Sequence, residues 1–598
     1  MKQPDKTGIK DGGNNMYLEK INSPADVKKL NSEEMKKLAE EMRAALIKKL
    51  SVHGGHCGPN LGMVEAVIAL HYVFDSPKDK LVFDVSHQTY CHKMLTGRKD
   101  AFLDESKYDD VTGYSSQHES EHDHFTMGHT STSVSLACGL AKGRDLCGGT
   151  ENVVAVIGDG SLSGGEALEG LDYAYELGTN LIVVVNDNQM SIAENHGGLY
   201  ENLKLLRESG GKAECNLFRA MGLDYVYVGE GNDVDSLIKA FSGVKGTTKP
   251  VVVHIVTEKG RGYAPAVKDK ESWHWHMPFN IETGEMTAQG GGEDYGDLTG
   301  KYMLNKMKSD PKVCMITSGT PAVGGFWKSR RDEAGSQFID VGIAEEHAVA
   351  LASGISARGG KPVYGVYSTF VQRTYDQLQQ DLCINNNPVT ILTFAASVWG
   401  MNDVTHLGIY DIPMMSNIPN LVYLAPTTYE QYIAMLDWSV EQREHPVAIR
   451  VPGAVIHGEK PTKDYGKLNK YEVVQQGSEV AIIALGTFFG IGKQAAELIE
   501  KNTGVKPTLI DPVYITGIDV ELLESLKKQH KAVITLEDGI LDGGFGEKIS
   551  RFYGDSSMRT VNLGLKKEFL DRYNADEVLR ANGISAEQIA DRAAELIK

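Results

Sequence analysis

The stretch Asn152–Asn195, NVVAVIGDGSLSGGEALEGLDYAYELGTNLIVVVNDNQMSIAEN, decides the fold class. Val153 to Ile157 is a short apolar run of the kind that a parallel sheet buries on both faces. Gly158-Asp159-Gly160 then lets the backbone turn sharply at the strand's carboxyl end. Leu168, Leu171 and Ala174 recur at helical spacing, Gly178 is placed to stop that helix, and Leu181 to Val185 runs back into the sheet. One βαβ unit therefore brings Asp159 and Asn188 to the same edge of the sheet, where doubly wound α/β proteins bind ligands.

A carboxylate (Asp159) and an amide oxygen (Asn188), with a turn carbonyl nearby, make a half-filled site for a hard cation. Mg²⁺ needs near-octahedral oxygen coordination and takes its remaining ligands from water and phosphates, so the site asks for a diphosphate. The plain alternative is a helix-capping Asp159 and a turn-supporting Asn188. The NDN triplet following GDG after the 25 residues Ser161 to Val185 favours the metal reading.

This GDG…N pattern resembles the thiamine diphosphate fingerprint. The longer wording, GDGSLSGGEALEGL and NDNQMSIAENHGGL, resembles the 1-deoxy-D-xylulose-5-phosphate (DXP) synthase branch of the transketolase superfamily. GGHCGPNLG (54–62), DVSHQTYCHK (84–93), MGHTSTSVSLACGLAKG (127–143), EKGRGYAPA (258–266) and ESWHWHMPFNIETGE (271–285) carry the likeness onward. The resemblance extends over nearly the whole chain. It implies thiamine diphosphate and Mg²⁺ as cofactors, with Asp159, Asn188 and Met190 on the metal. His87, Gly128, His129, Thr130, Gly158, Gly160, Ser161 and Tyr263 are the implied cofactor contacts, and His56 and His274 are active-site imidazoles.

In VGIAEEHAVALASG (341–354), Glu345 opens a helix just after a strand, by default a dipole-stabilised surface charge. The resemblance makes it instead the glutamate that shares a proton with the cofactor's aminopyrimidine ring, with a carboxyl pKa raised by burial. VYSTFVQRTYDQ (366–377) resembles the segment that lines the pocket with Tyr367, Phe370 and Arg373, where Phe370 would stack on the pyrimidine and Arg373 would face an anionic substrate. GMNDVTH (400–406) keeps His406 for proton transfer. Two departures stand out: Ala395 and Gly453 occupy positions where the family carries arginines that hold the acceptor's phosphate.

The expected architecture is three consecutive doubly wound α/β domains with a transketolase-like fold. The diphosphate-binding domain is expected over 1–265, a linker rich in Gly, Pro and charge over 266–300, the pyrimidine-binding domain over 301–460 and a C-terminal domain over 461–598. The implied reaction joins the two-carbon unit of decarboxylated pyruvate to an aldehyde, with glyceraldehyde 3-phosphate as the default acceptor. A paralogue using another aldehyde remains open because of Ala395 and Gly453. A transketolase fits the wording less well, and a non-catalytic assembly subunit fits poorly with Asp159, Asn188 and Glu345 all kept.

Composition bounds the rest. The 598 residues carry a net charge of -19, which disfavours nucleic acid and anionic membranes as partners. No apolar run approaches a membrane span. Residues 1–15, MKQPDKTGIKDGGNN, read as a mobile tail without a signal-peptide core, so a cytoplasmic protein is expected; the family resemblance implies a homodimer acting on small molecules. Seven scattered cysteines without a CxxC pair point to reduced thiols, and none of the 18 histidines has zinc-ligand spacing.

Overall fold

A computed structural model describes residues 16–287 and 292–598; the N-terminal tail read from 1–15 lies outside them. The chain divides into two compact units, Met1–Gly290 and Gly291–Lys598. The first unit is built on one five-stranded sheet: β1 (Lys80–Phe83), β2 (Val153–Gly158), β3 (Ile182–Asp187), β4 (Asp224–Val228) and β5 (Val251–Val256). The order is β1-β2-β3-β5-β4 and every pair is parallel.

Strand alternation explains why both faces of this sheet are covered. Val154, Val156, Ile182 and Val184 point into one core, shared with the helices Ser32–His53 and Gly58–Val73. Val153, Ala155, Ile157, Val183 and Val185 point into the other, shared with Ser133–Leu146 and Gly165–Leu177. A strand buried on both sides reads as a continuous apolar run, which is the signal seen in the sequence. The helix Ser32–His53 begins at a capping box in which the Glu34 N–H donates to Asn31 Oδ1 at 3.1 Å and the Asn31 N–H donates to Glu34 Oε2 at 2.9 Å. The helix Gly165–Leu177 ends at Gly178, held left-handed at φ 61°. It buries Ala167, Leu171 and Ala174, and truncating Leu171 to alanine is expected to cost roughly 2 to 5 kcal/mol.

Part of the expected linker is folded structure. Residues Ala264–Lys268 form a short helix, and Trp273 and Phe279 are buried in the first core, packed against Tyr263 at ring distances of 5.0 and 5.6 Å. His276 and Gly55 exchange two backbone hydrogen bonds of 2.9 Å. The Gly- and charge-rich composition hid two aromatic rings, Trp273 and Phe279, that need burying. At the other end, the helix Tyr295–Ser309 already belongs to the second unit.

The second unit holds two sheets. β6 (Val313–Thr317), β7 (Phe338–Asp340), β8 (Lys361–Tyr367), β9 (Thr390–Phe394), β10 (Val422–Leu424) and β11 (Val447–Arg450) form an all-parallel sheet of order β10-β11-β9-β8-β6-β7. β12 (Glu472–Gln475), β13 (Glu479–Ala484), β14 (Thr508–Asp511), β15 (His530–Ile540) and β16 (Arg559–Leu565) form the third, in which only the edge strand β12 runs antiparallel. The three expected α/β domains are present as three sheets. β12 carries the partly polar string EVVQ and is mostly exposed, so it lacks the apolar run that marks an inner strand.

Candidate active site

In the first unit, the turns that follow β1, β2, β3 and β5 gather at the sheet's carboxyl edge. Asp159 opens the turn after β2, is 1% exposed, and accepts backbone N–H groups of Asn188 and Gln189 as well as Asn195 Nδ2 at 2.9 Å. The neighbouring Asp187 is held by Arg207 Nη1 at 2.5 Å and His254 Nε2 at 3.0 Å, and Tyr225 Oη lies 2.8 Å from the other ring nitrogen of His254. Burial first, and then the charge of Asp187, push the Asp159 carboxyl well above the usual carboxylate range. The Met190 N–H donates to Asn188 Oδ1 at 3.2 Å, which closes the turn two residues on.

Three of the expected imidazoles meet. His56 and His87 have ring centroids 4.9 Å apart, His87 and His274 stack at 5.2 Å, and His56 and His274 stand edge-on at 5.7 Å. His274 Nδ1 is buried and makes no hydrogen bond among the described residues. Burial, then the charge of Lys259, hold that ring well below the usual histidine range, so it is neutral. Lys259 itself is 1% exposed, donates from Nζ to the Ser191 carbonyl at 2.7 Å, and forms no ion pair among the described residues. Burial brings its amine down to about 7 despite the attraction of Asp159.

The segment with Gly128, His129 and Thr130 is fixed by Asp84, whose carboxylate accepts the N–H groups of Ser131 and Ser133 at 2.8 and 2.9 Å. Ser131 Oγ donates to the Ser161 carbonyl at 2.8 Å and so joins this segment to the turn after β2. Around Gly158 a Cβ would meet nothing within 4 Å, whereas at Gly160 it would come within 2.9 Å of Ser191 Cβ. Both glycines keep the rim thin, one toward open space and one toward a neighbouring turn. The Tyr263 ring lies in the core, and its hydroxyl donates to the Ile281 carbonyl at 3.0 Å.

In the second unit, Glu345 is the first residue of the helix Glu345–Ala357 and is 3% exposed. Its Oε2 makes no hydrogen bond among the described residues and lies 3.7 Å from Arg373 Nη1. Burial raises its carboxyl to about 7, and the Arg373 charge only partly opposes this. Tyr367 and Phe370 meet edge to face at 5.7 Å, and Phe370 meets His406 at 5.6 Å. Glu345, Tyr367, Phe370, Arg373 and His406 thus come together from three separate segments. Ala395 follows β9 in a left-handed conformation at φ 52°, and Gly453 follows the adjacent strand β11. The nearby Arg450 is buried between Asp411 and Asp538.

The family model described as 1-deoxy-D-xylulose-5-phosphate synthase matches residues 18–214 and 209–257. The models for the transketolase pyrimidine-binding and C-terminal domains match 293–455 and 469–589. The 1-deoxy-D-xylulose-5-phosphate synthase of Shouchella clausii is 37% identical over 617 residues, covering 96% of this chain and 98% of that protein. The chain belongs to the DXP synthase family. The family's proteins from Halalkalibacterium halodurans and Clostridium beijerinckii are 36% and 37% identical and cover 97% and 96% of the chain, and 99% and 98% of their own lengths. Among solved structures, a transketolase from Leishmania mexicana aligns over 94% of this chain and 97% of its own at 15% identity, with a TM-score of 0.44.

DXP synthases and transketolases are thiamine diphosphate-dependent transferases. The residues of this DXP synthase family member fit that cofactor. Asp159 is a buried carboxylate short of positive charge, Lys259 is a buried cation short of negative charge, and Glu345 is a buried carboxyl with an unbonded oxygen. Lys259 and Asp84 were missed in the sequence. A lysine beside a glycine-rich turn reads as surface charge, and an aspartate closing the apolar run Leu81–Phe83 reads as a strand terminus rather than as an anchor for the segment 128–133.

Proposed function

We propose that the chain is a thiamine diphosphate-dependent carboligase of the DXP synthase type, which decarboxylates pyruvate and joins the two-carbon unit to D-glyceraldehyde 3-phosphate. The observation that carries this is Glu345: a buried carboxyl with a pKa near neutrality and an unbonded oxygen, in a chain whose close relatives bear that enzyme's name over their full length. We further propose Mg²⁺ as the ion, with Asp159, Asn188 and the Met190 carbonyl as its protein ligands and diphosphate oxygens and water completing the shell.

When bound, thiamine diphosphate supplies the electron sink for the carbanion chemistry. The chain's residues do the rest. Glu345 holds a proton against the ring nitrogen N1′ and exchanges it at neutral pH. Phe370 would stack on the pyrimidine. Lys259, His87, His129, Thr130 and Ser161 face the diphosphate end, where Gly128, Gly158 and Gly160 allow close backbone approach and Tyr263 supports the turn. Arg373 and Tyr367 orient an anionic substrate, and His56, His274 and His406 hold or move protons as alkoxides form. The working form is a cytosolic homodimer whose three functional regions are built on the three sheets.

The test is incubation of the purified protein with carboxyl-labelled pyruvate, thiamine diphosphate, Mg²⁺ and glyceraldehyde 3-phosphate. Labelled CO₂ and a 1-deoxyketose phosphate are expected together. Two-carbon transfer without CO₂ would indicate transketolase chemistry, and CO₂ release coupled only to unphosphorylated aldehydes would overturn the acceptor.

A further inference from the structure

We infer that Asp403 and Thr405 fix the tautomer of His406, so that its neutral ring carries the proton on Nδ1 and presents the lone pair of Nε2 for proton transfer. The functional part of this inference rests on the proposed role of His406; the order of the hydrogen bonds does not.

Thr405 Oγ1 lies 2.5 Å from Asp403 Oδ1 and 2.8 Å from His406 Nδ1. Two oxygens approach so closely only with a hydrogen between them. Asp403 has none to give. Burial alone would raise its pKa, but hydrogen bonds from His406 and Thr405 outweigh burial and hold the carboxyl below the usual carboxylate range. The hydrogen is therefore the threonine's single hydroxyl proton, directed at Asp403. A hydroxyl that has donated its proton can only accept from a second partner, so the His406 nitrogen facing Thr405 must be the protonated one. In a neutral imidazole the other nitrogen then bears the lone pair.

Packing keeps the ring from turning over. His406 is 7% exposed and stands edge to face against Phe370 at 5.6 Å. The simpler role for Asp403 is to close a local turn by accepting the Thr405 N–H, which it does at 2.9 Å. That role is met by the backbone bond alone and leaves the hydroxyl bond unexplained. When a substrate hydroxyl gives its proton to Nε2, the ring becomes an imidazolium, and the Asp403 carboxylate 3.9 Å from Nδ1 stabilises it through Thr405 until the proton is returned. Asp403 and Thr405 are positioning residues in this scheme. The Asp-x-Thr-His order reads from the sequence as an ordinary turn, and only the side-chain geometry gives the direction of the hydrogen bonds.

The test is ¹⁵N NMR of histidine-labelled protein, with the His406 ring assigned from its loss in His406→Gln, combined with steady-state kinetics. The wild type should show Nδ1 protonated and Nε2 unprotonated at a pH where the ring is neutral. Thr405→Val should lose the preference and lower kcat by on the order of tenfold or more, with KM for pyruvate changed less than about twofold. Thr405→Ser should restore both the tautomer and the turnover. An Nε2-protonated wild-type ring, or a Thr405→Val variant with its tautomer and kcat unchanged, would overturn the inference. Undiminished carboligation by His406→Gln would overturn instead the role of His406 on which its functional part rests, whatever the tautomer.

Discussion

Asp159 and Asp187 end adjacent parallel strands, and only Asp187 has its charge answered. Arg207 and His254 bond to Asp187, while Asp159 receives amide donors alone. Because Asp187 also raises the Asp159 carboxyl, the folded protein without metal holds a proton at Asp159 to higher pH than the unfolded chain does. Stability from this group is fully present below the unfolded carboxylate range and is lost as pH rises through the folded value. Asp159→Asn should therefore raise the melting temperature of the metal-free protein at high pH. It should also abolish the stabilisation that Mg²⁺ with thiamine diphosphate gives the wild type. Thermal melts with and without the two ligands check both outcomes.

Glu345 makes a parallel prediction with a number attached. Its folded pKa of about 7 stands above its unfolded value of 4.5, so stability falls as pH rises from about 4.5 to 7 and stays reduced above that. Glu345→Gln should remove the slope and gain roughly 3 kcal/mol at pH 8 in the protein without cofactor. Glu345→Ala should abolish carboligation while leaving thiamine diphosphate binding largely in place, as measured by calorimetric titration. Undiminished turnover would remove the proton-sharing role.

How much of this was legible in the sequence follows from the kind of signal each residue carries. Asp159 and Asn188 were legible because a buried parallel strand, a glycine turn and a helix impose a period and a fixed interval around them. His56, His87 and His274 were named from family wording, and their meeting depends on turns more than 200 residues apart in the chain. The Arg450 cluster, Lys259 and the Asp403-Thr405 pair carry no period at all, since a buried charge is recognisable only once its distant partners are in place. Ala395 and Gly453 left a paralogue with another aldehyde open, and relatives named DXP synthase over nearly the whole chain do not favour it.

Lys259 is predicted to govern diphosphate affinity. Its amine has a folded pKa of about 7 against an ordinary 10.5, so between these values the unfolded chain binds the additional proton and stability rises with pH. Lys259→Met should flatten that rise and stabilise the ligand-free protein below pH 7. It should also weaken thiamine diphosphate binding by about tenfold or more, since a charge-assisted bond to phosphate is lost. Thermal melts across pH 6 to 10 and a binding titration separate the two effects.

Arg450 is predicted to be the costliest single side chain to remove in the second unit. It donates from Nε to Asp411 Oδ2 at 2.7 Å and pairs with Asp538, while Tyr423 bonds to Asp411 and Thr487 to Asp538. All three charged groups are buried, so taking away the guanidinium strands two carboxylates in a low-dielectric interior. Breaking such a cluster costs roughly 3 to 5 kcal/mol, far more than an exposed ion pair. Arg450→Met should lower the melting temperature sharply. Because Asp411 and Asp538 would then take up protons rather than remain charged, part of the loss should be recovered as pH falls. Replacing both carboxylates by asparagine in the Arg450→Met background should restore stability at neutral pH beyond that of Arg450→Met alone. A triple variant no more stable than the single one would show that the stranded charges are not what the arginine offsets.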